Sequence, residues 1–147
     1  MANLRLKVVS QHKQLFSGDV DIVLAPGVDG QLGILPNHAP LITQLAIGEL
    51  RTRAGVEEYA FAVHGGFMHV LPDEVIVLAD VAERVEEIDV ERAEAARQRA
   101  LEMLHKSPPP EERRLTEMAL RRSRVRLRLA RERRRRGRRR PQIRQSE

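Results

Sequence analysis

The first 82 residues contain short runs in which apolar and polar residues alternate, the period-two pattern of half-buried β-strands. Six runs follow this pattern: 4–10, 20–26, 48–53, 59–64, 67–71 and 74–80. Turn-forming residues separate them: Ser17-Gly18-Asp19, Pro26-Gly27, Asp29-Gly30, Arg53-Ala54-Gly55, Gly65-Gly66 and Pro72-Asp73. Short strands with a turn about every ten residues predict an antiparallel β-sandwich or barrel.

From residue 83 the pattern becomes helical. Residues 83–106 are rich in Ala, Glu and Arg, which favour helices, and Asp89 is placed to cap the helix that follows it. Three prolines at 108–110 interrupt this helix and precede a second helical segment, with Glu111 and Glu112 in its first turn. Two helices with a short connection predict an antiparallel hairpin. We therefore expect a β-sandwich over 1–84, a helical hairpin over 85–136, and a disordered Arg-rich tail over 137–147.

The net charge of +5 hides an uneven distribution. Residues 1–82 carry 5 basic and 9 acidic side chains, and residues 83–120 carry 7 and 10. Residues 121–147 carry 14 basic and 2 acidic side chains. A block this basic indicates an anionic partner, which could be a nucleic acid, a membrane surface or an acidic protein.

Several kinds of chemistry are not indicated by the sequence. It contains no cysteine, no signal peptide pattern and no apolar run long enough for a transmembrane segment. The five histidines lack metal-ligand spacing, and no serine or threonine has a recognisable base. The glycines of GVDGQLG at 27–33 lack the Gly-Lys-Ser/Thr ending of a phosphate-binding loop, so we interpret them as turn residues. We expect no catalytic residue and no metal site.

Four arginines lie on the predicted apolar faces of the two helices, at about 100° per residue. The apolar stripe of the first helix is Ala93, Ala96, Ala100 and Met103, with Arg92 and Arg99 at its edge. The stripe of the second helix is Leu115, Met118, Ala119, Val125 and Leu129, with Arg122 and Arg126 in its middle. If the stripes face each other, four guanidiniums meet where unpaired charge is unfavourable. Either a multiply charged ligand such as a phosphate compound binds there, or the arginines reach the edge and pair with glutamates.

One long segment resembles a known family. Residues 29–51, DGQLGILPNHAPLITQLAIGELR, together with LKVVS in the first strand and LFSGDV at 15–20, are similar to the epsilon subunits of F-type ATP synthases. The stretch from Gly30 to Leu41 fits GxLGxLPxHAPL, which is long and specific. The resemblance covers residues 1–132 and implies two five-stranded sheets in a β-sandwich, followed by a C-terminal helical hairpin.

The resemblance also implies a nucleotide site. Nucleotide-binding bacterial members carry I/L-D-x-x-R-A at the start of the first helix, and residues 88–93 here read IDVERA. By similarity, the adenine of ATP would be surrounded by Glu83, Ile88, Asp89 and Ala93. The phosphates would face Arg92, Arg99, Arg122 and Arg126, the four arginines already indicated by helical phase. ATP is therefore expected as a regulatory ligand. The three prolines at 108–110 depart from the family pattern, and their geometry affects how the second helix packs against the first.

The family resemblance implies a non-catalytic central-stalk subunit on the cytoplasmic side of a bacterial cell membrane. The implied partners are the gamma subunit, the c-subunit ring and the catalytic alpha/beta subunits, with Gln31 and His38 as candidate ring-facing residues. The hairpin is expected to inhibit ATP hydrolysis when extended, and ATP to favour its folded state. The rival hypothesis is a nucleic-acid-binding module that uses the Arg-rich tail. That hypothesis leaves the 30–41 motif unexplained, so we expect no nucleic acid partner.

Overall fold

The computed structural model describes residues 3–139, with side chains as far as residue 136. The chain divides into two compact units, Met1–Glu87 and Ile88–Glu147. The strands of the first unit are β1 (Leu4–Val9), β2 (Gln14–Val20), β3 (Ile22–Gly27), β4 (Gly30–Ile34), β5 (Leu41–Gln44), β6 (Ile47–Ala54), β7 (Glu57–His64), β8 (Gly66–Val70), β9 (Glu74–Ala79) and β10 (Ala82–Arg84). A 3-10 turn at Val85–Glu87 follows, and the second unit contains α1 (Val90–His105) and α2 (Pro110–Arg139).

The strands form two five-stranded sheets, in the orders β2-β1-β9-β8-β5 and β10-β7-β6-β3-β4. This confirms the predicted sandwich. One pair differs from the expected antiparallel arrangement, because β1 and β9 run parallel with Arg5 opposite Glu74 and Val9 opposite Leu78. A short turn would enforce antiparallel pairing, whereas these two strands are joined through all the strands between them and are free to pair in parallel.

The core of the sandwich follows directly from the alternation in sequence. Along β1, Leu4, Leu6 and Val8 are completely buried while the residues between them are not. Strands from both sheets add buried side chains, among them Phe61 and Met68. Removing this apolar surface from water is the main force that holds the two sheets together.

Four strands were not predicted from the alternation: β2, β4, β5 and β10. The expected turn at Ser17-Gly18-Asp19 lies inside β2, where Gly18 is opposite Leu6, so that prediction is wrong. β2 is an edge strand of its sheet, and edge strands tolerate glycine and polar residues that would weaken a central strand. β10 includes residues 83 and 84, where the sequence predicts that the helical segment begins, and α1 starts only at Val90.

Two glycines show why turns occur where they do. Gly30, with φ of 131°, begins β4 directly after the two-residue turn that joins it to β3, which confirms the prediction of a turn glycine there. Gly27 ends β3 and Gly33 lies within β4 opposite Leu24, so for these two glycines the prediction is wrong. Gly66, with φ of 117°, begins β8. A Cβ at Gly66 would collide with the carbonyl oxygen of Leu78 and lie 2.7 Å from the Ala79 Cα. Only glycine fits this close approach between β8 and β9.

Tyr59 on β7 belongs to a small aromatic group in the first unit. Its ring centroid lies 5.0 Å from that of Phe16. Its hydroxyl donates a hydrogen bond to the Glu57 Oε2 at 2.6 Å. This hydrogen bond, together with the negative charge of Glu57, raises the pKa of the Tyr59 phenol above its ordinary value.

The two helices begin as the sequence predicts. Asp89 is the N-cap of α1. α2 begins at Pro110 with Glu111 and Glu112 in its first turn, where carboxylates interact favourably with free backbone N–H groups. α2 continues to Arg139, three residues into the segment 137–147 for which the sequence predicts disorder. The rest of that segment, 140–147, lies outside the described residues.

Candidate functional site

The motif at 88–93 forms the start of α1. The Asp89 Oδ1 accepts a hydrogen bond from the backbone N–H of Arg92 at 3.1 Å. The backbone N–H of Ala93 donates to the Asp89 carbonyl oxygen at 3.0 Å. Ile88 and Ala93 are buried, and Asp89 and Arg92 are exposed. The motif therefore has a structural role, because its carboxylate satisfies a backbone donor at the helix terminus.

The four candidate phosphate-binding arginines form two pairs. Arg92 and Arg99 are seven residues apart on α1, which places them on one face, and both are exposed. Arg122 and Arg126 are one turn apart on α2, and both are half-buried. Each pair can therefore present two guanidiniums to one ligand. That both pairs contact the same ligand stays a prediction.

The predicted apolar stripes are partly wrong. Met103, Leu115 and Met118 are 47%, 61% and 43% exposed, although Val125 and Leu129 are buried as expected. A second set of buried residues recurs at intervals of four and three along α2: Thr116, Leu120, Ser123, Leu127 and Ala130.

Two of these buried positions are polar, which explains the error. The Thr116 hydroxyl donates to the Glu112 carbonyl oxygen at 2.8 Å, and the Ser123 hydroxyl donates to the Ala119 carbonyl oxygen at 3.0 Å. A hydroxyl that bonds to its own helix can be buried without leaving a donor unsatisfied. Hydropathy alone assigns such residues to the polar face.

Glu83, the remaining predicted adenine contact, lies in the first unit. It is half-buried on β10, opposite Ala62 of β7. The other candidate residues all belong to the second unit.

The two candidate ring-facing residues lie in or just after β4. Gln31 is exposed within that strand, opposite Pro26. His38 is exposed in the loop between β4 and β5, where its Nδ1 donates to the Ala39 carbonyl oxygen at 2.7 Å. This hydrogen bond leaves the Nε2 of the ring available to a partner.

A groove on the second unit contains arginines that sequence reasoning did not select. Its volume is about 380 Å³, and it is lined by Arg97, Arg124, Leu127, Arg128, Arg131, Glu132 and Arg135. We call it the arginine groove. At about 100° per residue, the α2 arginines of this groove lie on the side opposite Arg122 and Arg126. The spacing 124, 128, 131, 135 was visible in the sequence but was interpreted only as part of a basic block.

Within residues 3–139, no cluster of three or more histidine or acidic side chains has an arrangement that could hold a metal ion. Neither helix of that part combines the length and apolar character that crossing a membrane requires.

Comparison with known proteins matches both units. Residues 3–85 match the family model of the ATP synthase delta/epsilon chain β-sandwich domain. Residues 86–131 match that of the ATP synthase delta/epsilon chain long α-helix domain.

Individual proteins agree with the family models. The chain is 51% identical over 128 residues to the ATP synthase epsilon chain of Dehalococcoides mccartyi, covering 86% of this chain and 91% of the relative. It is 47% identical over 129 residues to that of Moorella thermoacetica, covering 86% and 96%. Among solved structures, a chain of the Euglena gracilis mitochondrial ATP synthase OSCP/F1/c-ring complex superposes with a TM-score of 0.72 at 28% identity, covering 82% of this chain and 76% of that one.

Proposed function

Because this chain belongs to the ATP synthase delta/epsilon family, as an epsilon subunit of the bacterial type, we propose that its helical hairpin regulates ATP hydrolysis in response to ATP. The observation that carries the proposal is the match across both units, which includes the helices as well as the sandwich. The subunit itself is non-catalytic and belongs to the central stalk. The match to 86–131 covers much of the basic helix, so it favours this function over the rival nucleic-acid-binding module.

The proposed ligand site uses the start of α1 and the two arginine pairs. The adenine contacts proposed from the family resemblance are Ile88, Ala93, Asp89 and Glu83. Ala93 is completely buried and Ile88 is 9% exposed, so a ring that contacts them would have to displace the side chains that cover them. Arg92 and Arg99 offer exposed guanidiniums, and planar guanidiniums match phosphate oxygens in two-point hydrogen bonds. The half-burial of Arg122 and Arg126 strengthens such contacts, because charges shielded from water interact more strongly.

ATP at this site would act as a switch. A ligand stabilises whichever conformation binds it better, by an amount set by its concentration relative to its dissociation constant. An ATP molecule that contacts both helices favours the folded hairpin. At low ATP the hairpin is released and extends toward the catalytic alpha/beta subunits, where its basic second helix inhibits hydrolysis.

The sandwich is proposed to connect this switch to the rotor. Its partners are the gamma subunit and the c-subunit ring, and the complex is peripheral on the cytoplasmic side of the cell membrane. The exposed Gln31, in β4, and His38, in the loop that follows it, are the proposed ring contacts. Polar, exposed side chains are suited to binding rather than to core packing, and loops such as the one that contains His38 often carry binding residues.

The test is ATP hydrolysis by reconstituted enzyme containing one of three forms of this subunit. We expect truncation after Ser107, which removes α2, to raise hydrolysis at low ATP while leaving synthesis intact. Removal of 137–147 alone serves as the matched control and should change little. Equal hydrolysis with all three forms would disprove the inhibitory role, and a rise on removing only 137–147 would assign the inhibition to that segment instead.

A further inference from the structure

The arginine groove is built from both helices of the second unit. α1 contributes Arg97, and α2 contributes the arginines at 124, 128, 131 and 135. The four α2 positions are separated by four, three and four residues, so they form one stripe along the helix. Five guanidiniums therefore line one concave surface of about 380 Å³, within the size range of small-ligand sites.

The four arginines that α2 contributes to the groove are not neutralised by nearby carboxylates of the described residues. Among residues 3–136, no ion pair joins Arg124, Arg128, Arg131 or Arg135 to a carboxylate. Like charges one turn apart destabilise a helix, so the stripe is unfavourable in the absence of a counterion. A multivalent anion in the groove would convert this repulsion into attraction.

Arg97 provides a second indication of a ligand. One of its terminal nitrogens, Nη2, pairs with the Glu94 Oε1 at 2.7 Å. Its Nε is buried and has no hydrogen-bond acceptor among the described residues. A buried donor without an acceptor is uncommon and costs free energy, which an oxygen atom of a bound ligand would recover.

Two further residues of the groove are relevant to the chemistry of that ligand. Leu127, only 3% exposed, is the one apolar side chain among the described residues that line the groove. Glu132 also lines the groove and repels anions, so a single weak negative charge is not enough. With Arg97 already paired to Glu94, the four α2 arginines still outnumber the Glu132 carboxylate by four to one, which suits a ligand with several charged oxygens.

We propose that the arginine groove binds a compound with two or more linked phosphate groups, at a site separate from the proposed ATP site. The groove arginines of α2 lie about 180° around the helix from Arg122 and Arg126. On α1, Arg97 is likewise on a different face from Arg92 and Arg99. Phosphate is favoured over carboxylate because guanidinium forks bind phosphate oxygens in pairs, and linked phosphates concentrate several charges in a small volume.

The direct test is calorimetric titration of the full chain with inorganic pyrophosphate. We expect Arg128→Gln and Arg131→Gln each to weaken binding about tenfold or more. Arg114→Gln is the matched control: it removes the same charge from an exposed residue about 15 Å along α2 from Arg124. Glutamine is a good helix former, and Arg124→Gln replaces any variant whose helical circular dichroism is reduced.

Glu132→Gln distinguishes a binding site from an arginine cluster that has only a structural role. Removing this carboxylate should tighten pyrophosphate binding, since it removes repulsion inside the groove. ATP also has linked phosphates, so only the part of ATP binding that Arg122→Ala abolishes should be unchanged in Arg128→Gln. Failure of one site is then distinguishable from failure of the other. Pyrophosphate binding that is unaffected by all the groove variants, or that is lost in Arg122→Ala, would overturn the proposal.

Two further experiments, with vesicles and with an acidic peptide, identify the kind of anion that binds. Flotation with phosphatidylcholine vesicles, with and without phosphatidic acid, tests a lipid headgroup. Arg128-dependent binding only to the acidic vesicles would assign the groove to a single lipid phosphate and overturn the requirement for linked phosphates, whereas pyrophosphate binding alone would assign it to a free compound. An oligoglutamate peptide that binds in an Arg128-dependent way while pyrophosphate and the vesicles do not would show a carboxylate site and disprove the phosphate proposal.

Discussion

The carboxylate of Asp89 and the backbone N–H of Arg92 are joined by a 3.1 Å hydrogen bond across the first turn of α1. The two charged residues that identify the 88–93 motif are therefore linked through the backbone. The bond occupies one oxygen of the carboxylate and leaves the Arg92 side chain exposed and available. The effect of a substitution at Asp89 on helix stability must therefore be measured separately from its effect on ligand binding.

Asp89→Ala should destabilise the second unit by about 1 kcal/mol, because it removes the acceptor at the helix N-terminus. Asp89→Ser keeps a capping oxygen and should lose much less. The measurement is thermal unfolding followed by circular dichroism. Equal midpoints for the alanine and serine variants would show that the cap contributes nothing. If Asp89→Ser keeps its stability but loses ATP affinity, the carboxylate also contacts the nucleotide.

Arg122→Ala should weaken ATP binding by about 1.5–3 kcal/mol, the usual contribution of a hydrogen bond to a charged group. Arg121→Ala, at the neighbouring exposed position, removes the same charge and should have little effect. Added salt should also reduce the affinity, since phosphate contacts are partly screened. Calorimetry with ATP provides the measurement, and identical affinities for both variants and the parent protein would exclude this face of α2 as the phosphate site.

Gly66→Ala should destabilise the sandwich by more than about 4 kcal/mol, because the new Cβ meets the backbone of β9 at a positive φ. Gly55→Ala is the matched control. Gly55 also has a positive φ, of 63°, but no heavy atom lies within 4 Å of its added Cβ. We expect it to cost about 1 kcal/mol. Urea unfolding measures both values, and similar losses would show that φ alone, rather than the close approach to β9, decides the outcome.

The pH dependence of Tyr59 can be followed without interference, because the chain contains one tyrosine. Its pKa is raised in the folded protein, so the native state favours the protonated phenol. The resulting stabilisation is complete below the ordinary tyrosine pKa and is lost as the pH rises through the folded pKa. Near-ultraviolet titration should show a lower pKa in Glu57→Gln. An unchanged titration would mean that the Glu57 hydrogen bond does not cause the shift.

Much of the sandwich could be predicted because its buried strands alternate regularly. β1, with Leu4, Leu6 and Val8 inside, is a clear case. The parallel pairing of β1 with β9 could not be predicted in this way, since alternation identifies buried faces but not neighbouring strands. The short strand β10 was missed for a related reason: three residues are too few to show a period.

The helices show a different limit. Asp89 as an N-cap followed from its residue type and position. The buried side of α2 did not, because Thr116 and Ser123 satisfy their hydroxyls within the helix and thereby act as interior residues. This shift in the buried side also concealed Arg97, whose place in a groove depends on the packing of two helices rather than on its own segment.

The pairing of β1 with β9 affects the order in which the protein assembles during synthesis. β1 is made first, yet one of its two edges has no partner until residues 74–79 have been added. Pairing between distant segments slows folding, and an open strand edge can pair with another chain in the meantime. Completion of the first sheet therefore waits for its last strand, and until then the unpaired edge of β1 exposes incomplete chains to aggregation.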